Sequence, residues 1–218
     1  MNIAIDGPAG AGKSTIAKLA AKRLGYIYVD TGAMYRAIAL YLIENDINVD
    51  DEALVSEACD NIDVCIRYED DVQNIYLNGK NVSTEIRKEQ VGNMASKAAA
   101  KKPVRDKLLN LQRDIAKESD VIMDGRDIGT FVLPDAELKI YLTASVLTRA
   151  KRRYEELKAK GENPDIDKIK GDIEQRDYQD MNREIAPLRQ ADDAWYLDTS
   201  DMSIDDVVGS ICDRAVSL

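Results

Sequence analysis

The stretch Gly7-Pro8-Ala9-Gly10-Ala11-Gly12-Lys13-Ser14-Thr15 decides the fold of this chain. It follows a short apolar run at residues 3–5 and precedes a helical pattern at residues 13–24. A loop with the spacing Gly-x4-Gly-Lys-Ser between a strand and a helix is the pattern of a phosphate-binding P-loop. Its backbone N–H groups and the N-terminus of the following helix would surround a phosphate.

Lys13 and Ser14 have separate predicted roles in this loop. The Lys13 ammonium would reach the β- and γ-phosphates of a nucleotide, and the Ser14 hydroxyl would hold Mg²⁺. The alternative is a glycine-rich turn between a strand and a helix that binds no ligand. The strand–loop–helix context favours the phosphate-binding loop.

Length and charge restrict the class of the protein. A chain of 218 residues suits one domain, so we expect a single domain over residues 1–218. The net charge of −10 argues against a general surface for nucleic acid or membrane. No segment has the pattern of a signal peptide or transmembrane helix, so we expect Cys59, Cys65 and Cys212 to be reduced thiols in the cytoplasm.

The sequence contains no histidine. This excludes a Ser-His-Asp or Cys-His nucleophilic enzyme and a zinc site with histidine ligands. Phosphoryl transfer remains, because its catalysis depends mostly on positioning and charge stabilisation.

Alternating strand and helix patterns predict an α/β fold of the P-loop NTPase type. The expected core is a five-stranded parallel sheet flanked by helices, with a small antiparallel β insertion and a short helical lid. The predicted strands cover residues 3–5, 26–29, 121–123, 138–142 and 195–197. The predicted helices include residues 13–24, 32–45, 103–117, 146–160 and 166–185.

Residues 62–85 interrupt the α/β alternation. Residues 62–67 alternate apolar with polar side chains, residues 75–77 resemble a strand, and Asn78-Gly79 is a strong hairpin signal. We therefore expect an antiparallel insertion over residues 62–85.

Two further segments follow predicted strands, where ligands bind in such sheets. In Asp30-Thr31-Gly32-Ala33-Met34-Tyr35-Arg36, Thr31 could cap the next helix. Arg36 would bind the phosphate of a second substrate, or would be an ordinary arginine on a helix surface.

Val121-Ile122-Met123-Asp124 resembles a Walker B strand, whose final acid could support Mg²⁺ directly or through a water molecule. Gly125-Arg126-Asp127 follows it. The alternative for these last residues is a local surface ion pair between Arg126 and Asp127.

Charged side chains also cluster on two predicted helices. Arg149, Arg152 and Arg153 would form a lid that closes over a transferring phosphoryl group, or a solvated helix face. Arg176, Asp180 and Arg183 have the spacing of one helical face, which could line the cleft. The alternative there is an ion pair within the helix between Arg176 and Asp180.

Together these motifs resemble the bacterial cytidylate kinase family of P-loop nucleoside monophosphate kinases. The resemblance runs almost from end to end. The most specific segments are Asp124-Gly125-Arg126-Asp127-Ile128-Gly129-Thr130 and Arg176-Asp177…Asp180-Met181-Asn182-Arg183. Members of this family carry a small β-rich insertion in the monophosphate-binding region, which agrees with residues 62–85.

The resemblance implies transfer of the γ-phosphoryl group of Mg-ATP to CMP or dCMP. It implies that residues 7–15 bind ATP and that Ser14 and Asp124 hold Mg²⁺. It gives Lys13, Arg149 and Arg153 catalytic roles, within an approximate lid over residues 149–165. The CMP-binding residues that it implies are Thr31, Arg36, Ser96, Arg105, Arg126, Asp127, Arg176, Asp180 and Arg183.

Within that set, the resemblance implies that Arg36, Arg126 and Arg183 hold the acceptor phosphate. Ser96, Arg105 and Asp127 would recognise the cytosine, and Arg176 and Asp180 would contact the sugar. The expected partners are these small molecules, with neither nucleic acid nor membrane, and the expected state is a monomer.

Three other functions are alternatives to the transfer of a phosphoryl group to CMP or dCMP. Another P-loop kinase would act on UMP, AMP or shikimate. A GTP-binding switch protein usually has an Asn-Lys-x-Asp segment, which does not occur in this sequence. An ATP-hydrolysing partner of a nucleic-acid machine conflicts with the acidic net charge.

Overall fold

The computed structural model describes residues 1–69 and 72–218, which form two compact units. The P-loop unit comprises Met1–Tyr28 and Ser119–Leu218, and the insertion unit comprises Val29–Glu118. A single domain over residues 1–218 stays a prediction.

Eight strands form two sheets among the described residues. The first sheet has the order β2-β6-β1-β7-β8 and the second has the order β3-β4-β5. The strands are β1 (Asn2–Asp6), β2 (Ile27–Asp30), β3 (Val64–Glu69), β4 (Val72–Leu77), β5 (Lys80–Asn81), β6 (Val121–Gly125), β7 (Leu138–Thr143) and β8 (Trp195–Asp198).

The first sheet is the predicted parallel sheet. Ile5 of β1 pairs in parallel register with Asp124 of β6 and with Ile140 of β7. The central strand is buried on both faces, as its apolar side chains require. All five predicted strands are present, so the predicted fold class is confirmed. The carboxyl ends of β1, β6 and β7 therefore meet at one edge, which is where such sheets bind ligands.

The described part of the chain has eight α-helices, and α3, α4 and α8 lie outside the five segments that the sequence pattern predicted. Their bounds are α1 (Lys13–Leu24), α2 (Thr31–Glu44), α3 (Glu52–Asp60), α4 (Glu89–Ala98), α5 (Lys102–Glu118), α6 (Val146–Ala159), α7 (Ile166–Asn182) and α8 (Ile204–Val216).

The core of the P-loop unit lies between the first sheet and helices α1 and α8. Ile3 and Ile5 of β1 pack in one cluster with Ile16 of α1 and Ile211 of α8. Ser203 caps α8 by accepting a hydrogen bond from the N–H of Asp206 at 3.2 Å. Burial of these apolar side chains is the main term that stabilises the unit.

Two predicted helix boundaries are wrong. Asp30, rather than Thr31, caps α2, because its carboxylate accepts the N–H of Ala33 at 2.9 Å. Helix α7 ends at Asn182 instead of residue 185, since Arg183 is extended, with φ −65° and ψ 144°. There the N–H of Leu188 donates to the Asp180 carbonyl at 2.8 Å and closes the helix end.

The insertion unit contains the predicted antiparallel hairpin. Strands β3 and β4 pair from Val64↔Leu77 to Glu69↔Val72, and β4 pairs with β5. Asn78 and Gly79, with φ of 47° and 80°, form the turn between β4 and β5. The antiparallel insertion is therefore confirmed in its described residues, and residues 70 and 71 lie outside them.

Within the described ranges, no helix is both long and apolar enough to cross a membrane.

Candidate active site

The P-loop connects β1 to α1 through a backbone that only glycine can adopt at its first position. Gly7 has φ 151°, and a Cβ built on it would lie 1.9 Å from the carbonyl oxygen of Leu142 on β7. Gly12, with φ 90°, precedes α1 and has no side chain that could cap it. The first N–H groups of α1 therefore remain available to an anionic ligand at this helix end.

Lys13 is buried at the start of α1. Its Nζ donates a hydrogen bond to the carbonyl of Pro8 at 2.8 Å, across the loop. Burial and the nearby Arg126 charge lower the pKa of Lys13 to about 7, against the opposing effect of Asp124, Asp180 and Asp6. An anionic phosphate in the loop would favour the charged ammonium.

Ser14 and Asp124, the two predicted magnesium-binding residues, are in contact. The Ser14 Oγ donates to Asp124 Oδ2 at 2.8 Å, and the Tyr28 hydroxyl donates to Oδ1 at 3.0 Å. A hydroxyl beside a carboxylate at a phosphate loop is an oxygen donor set that suits Mg²⁺. These two residues therefore fit the ion. The described residues contain no cluster of three or more His, Cys, Asp or Glu that could hold a metal.

Asp6 ties the end of β1 to the segment after β6. Its two carboxylate oxygens accept the N–H groups of Ile128 and Gly129 at 2.8 and 2.7 Å. Burial raises the pKa of Asp6 to about 7, although these two hydrogen bonds oppose the shift. Residues Ile128–Val132 form a π-helical turn, which is common at functional sites.

Two ion pairs connect Arg126 and Asp127 to the end of α7. Arg126 Nε lies 2.8 Å from Asp180, and Arg183 Nη2 lies 3.0 Å from Asp127. The alternative of a local surface pair between Arg126 and Asp127 is therefore wrong. Burial alone would raise the pKa of Asp180, but the charges of Arg126, Arg176 and Arg183 lower it.

The predicted single helical face is wrong for Arg183. This residue follows the end of α7, and its Nε donates to the carbonyl of Ala186 at 2.7 Å. Ala186 has a positive φ of 47°, which is uncommon for a residue other than glycine. The turn after α7, rather than the helix period, brings Arg183 to Asp127.

The three arginines of α6 have different surroundings. Arg149 is buried and lies 2.7 Å from Asp177 of α7. Arg152 donates to the carbonyl of Thr199 at 2.8 Å. Arg153 is half-buried and pairs with Glu156 of its own helix at 2.9 Å. The structure therefore separates Arg149, which is fixed beneath the surface, from Arg153 within the predicted lid.

Of the remaining predicted residues, Arg176 is half-buried on α7, and the others lie in the insertion unit. Thr31 is buried at the start of α2, and half-buried Arg36 is near α4, since a Cβ at Gly92 would be 3.9 Å from its Nε. Ser96 is half-buried on α4. Arg105 of α5 is buried and donates to the carbonyl of Ala99 at 3.3 Å.

The sequence pattern missed three residues of the P-loop unit. Asp6 could have been recognised as an acid at the end of a fully apolar strand. Asp177 is adjacent to the predicted Arg176, but nothing in its spacing indicates a partner on α6. Tyr28 has no local signal, because its contact with Asp124 depends on the pairing of the strands.

Comparisons with known proteins agree with this geometry. The profile of the family described as cytidylate kinase matches residues 3–217. The chain is 51% identical over 211 residues to a cytidylate kinase of Lactobacillus johnsonii, covering 97% of this chain and 92% of that protein. It is also 51% identical over 211 residues to a cytidylate kinase of Caldicellulosiruptor saccharolyticus, with 97% and 93% covered.

A solved structure has the same fold at low sequence identity. It is an uncharacterized protein from Eubacterium ventriosum, with a TM-score of 0.54 and 14% identity. The match covers 100% of this chain and 99% of that one.

Proposed function

Because the chain belongs to the cytidylate kinase family, we propose that it transfers the γ-phosphoryl group of ATP to CMP or dCMP. The products are ADP and CDP or dCDP. The observation that carries this proposal is the P-loop with Lys13 and the Ser14–Asp124 contact at one edge of the parallel sheet. The reaction makes the protein a transferase of nucleotide metabolism.

The P-loop binds the phosphates of ATP. Backbone N–H groups of residues 7–15 and the N-terminus of α1 surround the phosphates, and Lys13 contacts the β- and γ-phosphates. Ser14 and Asp124 hold Mg²⁺, with Asp124 acting directly or through a water molecule. When bound, Mg²⁺ neutralises part of the charge on the phosphate oxygens.

Lys13 and Arg153 stabilise the charge that develops on the transferring group. Lys13 already lies in the loop, and Arg153 extends from α6 with 41% of its side chain exposed. The acceptor phosphate of CMP is an ionised nucleophile, so the reaction needs no strong general base. Positioning of the two substrates therefore supplies most of the rate enhancement.

The residues assigned to CMP differ in their chemistry. Arg36, Arg126 and Arg183 bind the phosphate, since guanidinium groups form paired hydrogen bonds with phosphate oxygens. Arg126 and Arg183 are held in place by ion pairs with Asp180 and Asp127. The remaining residues assigned to CMP are Ser96, Arg105 and Asp127 for the cytosine, Arg176 and Asp180 for the sugar, and Thr31.

A substrate panel tests the proposed function. ADP formation from Mg-ATP would be measured with CMP, dCMP, UMP, AMP and shikimate as acceptors. We expect strong activity with CMP and dCMP and weak or no activity with the others, because a site that hydrogen-bonds cytosine leaves buried polar groups unpaired with another base. Activity confined to another acceptor would contradict the assignment.

An Asp180→Asn variant tests the sugar contact. We expect the KM for CMP to rise roughly tenfold and the KM for ATP to change much less, because the amide accepts a weaker hydrogen bond than the carboxylate and no longer forms the ion pair with Arg126. Asp172→Asn makes the same change at an exposed position of α7 and should alter neither constant. Equal KM values for CMP in the variant and the unmodified protein would remove Asp180 from the sugar site.

A monomeric state and a cytoplasmic location stay predictions. Size-exclusion chromatography with light scattering measures the former.

A further inference from the structure

Two charged side chains, one on α6 and one on α7, bind the backbone of the P-loop. The Asp177 Oδ1 accepts the N–H of Ala9 at 3.3 Å, and the Arg149 Nη1 donates to the carbonyl of the same residue at 2.9 Å. The two side chains also form an ion pair at 2.7 Å. Both backbone polar groups of Ala9 are thus bound by this pair, which we call the P-loop clamp.

The clamp is anchored in the sheet as well as in the loop. Arg149 Nε donates to the carbonyl of Ala144, directly after β7, at 2.9 Å. The side chain of Arg149 is 4% exposed and that of Asp177 is 12% exposed. Water therefore competes little for these contacts.

Arg149 differs from Arg153 in what its guanidinium group contacts. The group donates to two backbone carbonyls and pairs with a carboxylate, all within the P-loop unit. These three acceptors are fixed by β7, the P-loop and α7. The Nε and Nη1 groups of Arg149 are thus already bound, and moving the guanidinium toward a transferring phosphoryl group would break the buried ion pair with Asp177, which is unfavourable.

We propose that Arg149 and Asp177 are positioning residues of the ATP site, rather than residues that contact the transferring group. They fix the Ala9 peptide, so that the N–H groups of the P-loop are oriented before ATP binds. A loop without the clamp must be ordered during binding, and that ordering weakens affinity. This inference rests on the proposed function, because it assumes that the loop binds ATP.

The hydrogen bonds of the clamp are made to the P-loop and to Ala144, and Asp177 acts on the assigned CMP residue Arg126 through its charge. We therefore expect Asp177→Asn to raise the Kd of Mg-ATP roughly tenfold, which corresponds to the loss of one charge-assisted hydrogen bond. The Kd of CMP should change much less, and kcat at saturating ATP should stay within about threefold of the unmodified protein.

Isothermal titration calorimetry with Mg-ATP and with CMP, together with steady-state kinetics, measures these quantities. Asp172→Asn, at an exposed position of the same helix, is the matched control and should change none of them. Arg149→Lys is a second variant that keeps the charge and its pairing with Asp177. A single ammonium cannot also reach both carbonyls, so Arg149→Lys should likewise weaken Mg-ATP binding with little change in kcat.

Three results would overturn the clamp. In the first, kcat falls at saturating ATP while the Kd of Mg-ATP is unchanged, which would place Arg149 on the transferring group. In the second, both variants bind Mg-ATP as the unmodified protein does. In the third, both variants lose ATP and CMP binding together or fail to fold, which would indicate a general structural role. If the unmodified protein binds neither nucleotide, the proposed function itself fails.

Discussion

The P-loop and the Asn78-Gly79 turn both bend the chain at glycine, but their surroundings differ. A Cβ at Gly7 would lie 1.9 Å from a backbone carbonyl of β7, whereas a Cβ at Gly79 would have no heavy atom within 4 Å. Gly7 is required by packing, and Gly79 is required by its backbone conformation alone. The P-loop is therefore enclosed by the fold at Gly7, whereas the Asn78-Gly79 turn lies at the surface.

Polar groups follow the same division. Around the P-loop, Asp6, Lys13 and Arg149 are buried, and each has hydrogen-bond partners within the P-loop unit. On the β3–β4 hairpin, by contrast, polar contacts lie at the surface, for example Tyr76 donating to Glu69 at 3.0 Å. Buried hydrogen-bonded networks hold one geometry, while exposed contacts exchange with water. The polar network around the P-loop therefore holds one geometry, whereas the exposed polar contacts of the hairpin can exchange with water.

The largest expected effect concerns the buried lysine. Lys13→Ala should lower kcat by roughly a thousandfold or more, because it removes a positive charge aimed at the transferring group. The fold should persist, since the substitution removes a buried charge rather than leaving one without a partner. A coupled ADP assay and circular dichroism measure the two outcomes.

Lys18→Ala is the matched control for that variant. Lys18 lies on α1 as well, but it is exposed, so both activity and stability should stay close to those of the unmodified protein. Full activity in Lys13→Ala, with an unchanged circular dichroism spectrum, would contradict the role of the P-loop.

The second prediction concerns the enclosed glycine. Gly7→Ala should lower the free energy of unfolding by about 3–5 kcal/mol, because either β7 or the loop must move to admit the methyl group. Urea unfolding followed by circular dichroism measures the change. A loss below about 1 kcal/mol would show that the loop accommodates a side chain. Packing would then not distinguish Gly7 from Gly79.

The sequence was sufficient for the features that depend on local patterns. The P-loop, the Walker B strand ending at Asp124 and the Asn78-Gly79 hairpin each have a short signature, because the chemistry of a tight turn or phosphate loop restricts adjacent residues. The order of strands and helices then fixed the α/β class. The contact between Ser14 and Asp124 follows from the parallel pairing of β1 with β6.

The missed features depend on residues that are distant in sequence. The spacing of Arg149 on α6 does not indicate its contacts, because its partner Asp177 is on α7 and its other contacts are backbone carbonyls. The spacing of Arg183 predicts a position on the face of α7. In the structure α7 ends at Asn182, and Arg183 belongs to the following turn, in which Ala186 has a positive φ. Tertiary contacts decide both cases, and helical periodicity carries no information about them.

The third prediction uses the titration of the buried lysine. Since the pKa of Lys13 is lowered to about 7, the side chain is mostly neutral at about pH 8 without ligand. Bound phosphates raise that pKa, so Mg-ATP binding should take up protons at about pH 8 and take up few at about pH 6, where Lys13 is already charged. Insertion residues should contribute nothing to this uptake.

Calorimetric titration in two buffers of different ionisation enthalpy measures the uptake. At the higher pH the apparent binding enthalpy should depend on the buffer, and in Lys13→Ala this dependence should disappear. Identical enthalpies in both buffers for the unmodified protein would show that binding takes up no net protons, and would contradict the predicted change of charge at Lys13.

The smallest expected effect is at the exposed turn. Gly79 has φ +80° and open space around its Cα, so Gly79→Ala meets only the intrinsic strain of a left-handed residue, about 1 kcal/mol in the free energy of unfolding. Gly79→Asn should lose less, because asparagine adopts this conformation more readily than alanine. Urea unfolding of both variants beside Gly7→Ala gives the decisive ranking. If Gly79→Ala were as destabilising as Gly7→Ala, packing would not separate the two turns; equal stability of Gly79→Ala and Gly79→Asn would mean that backbone strain does not govern the second one. The expected order follows because a surface turn can relax toward solvent, whereas a loop packed against a strand cannot.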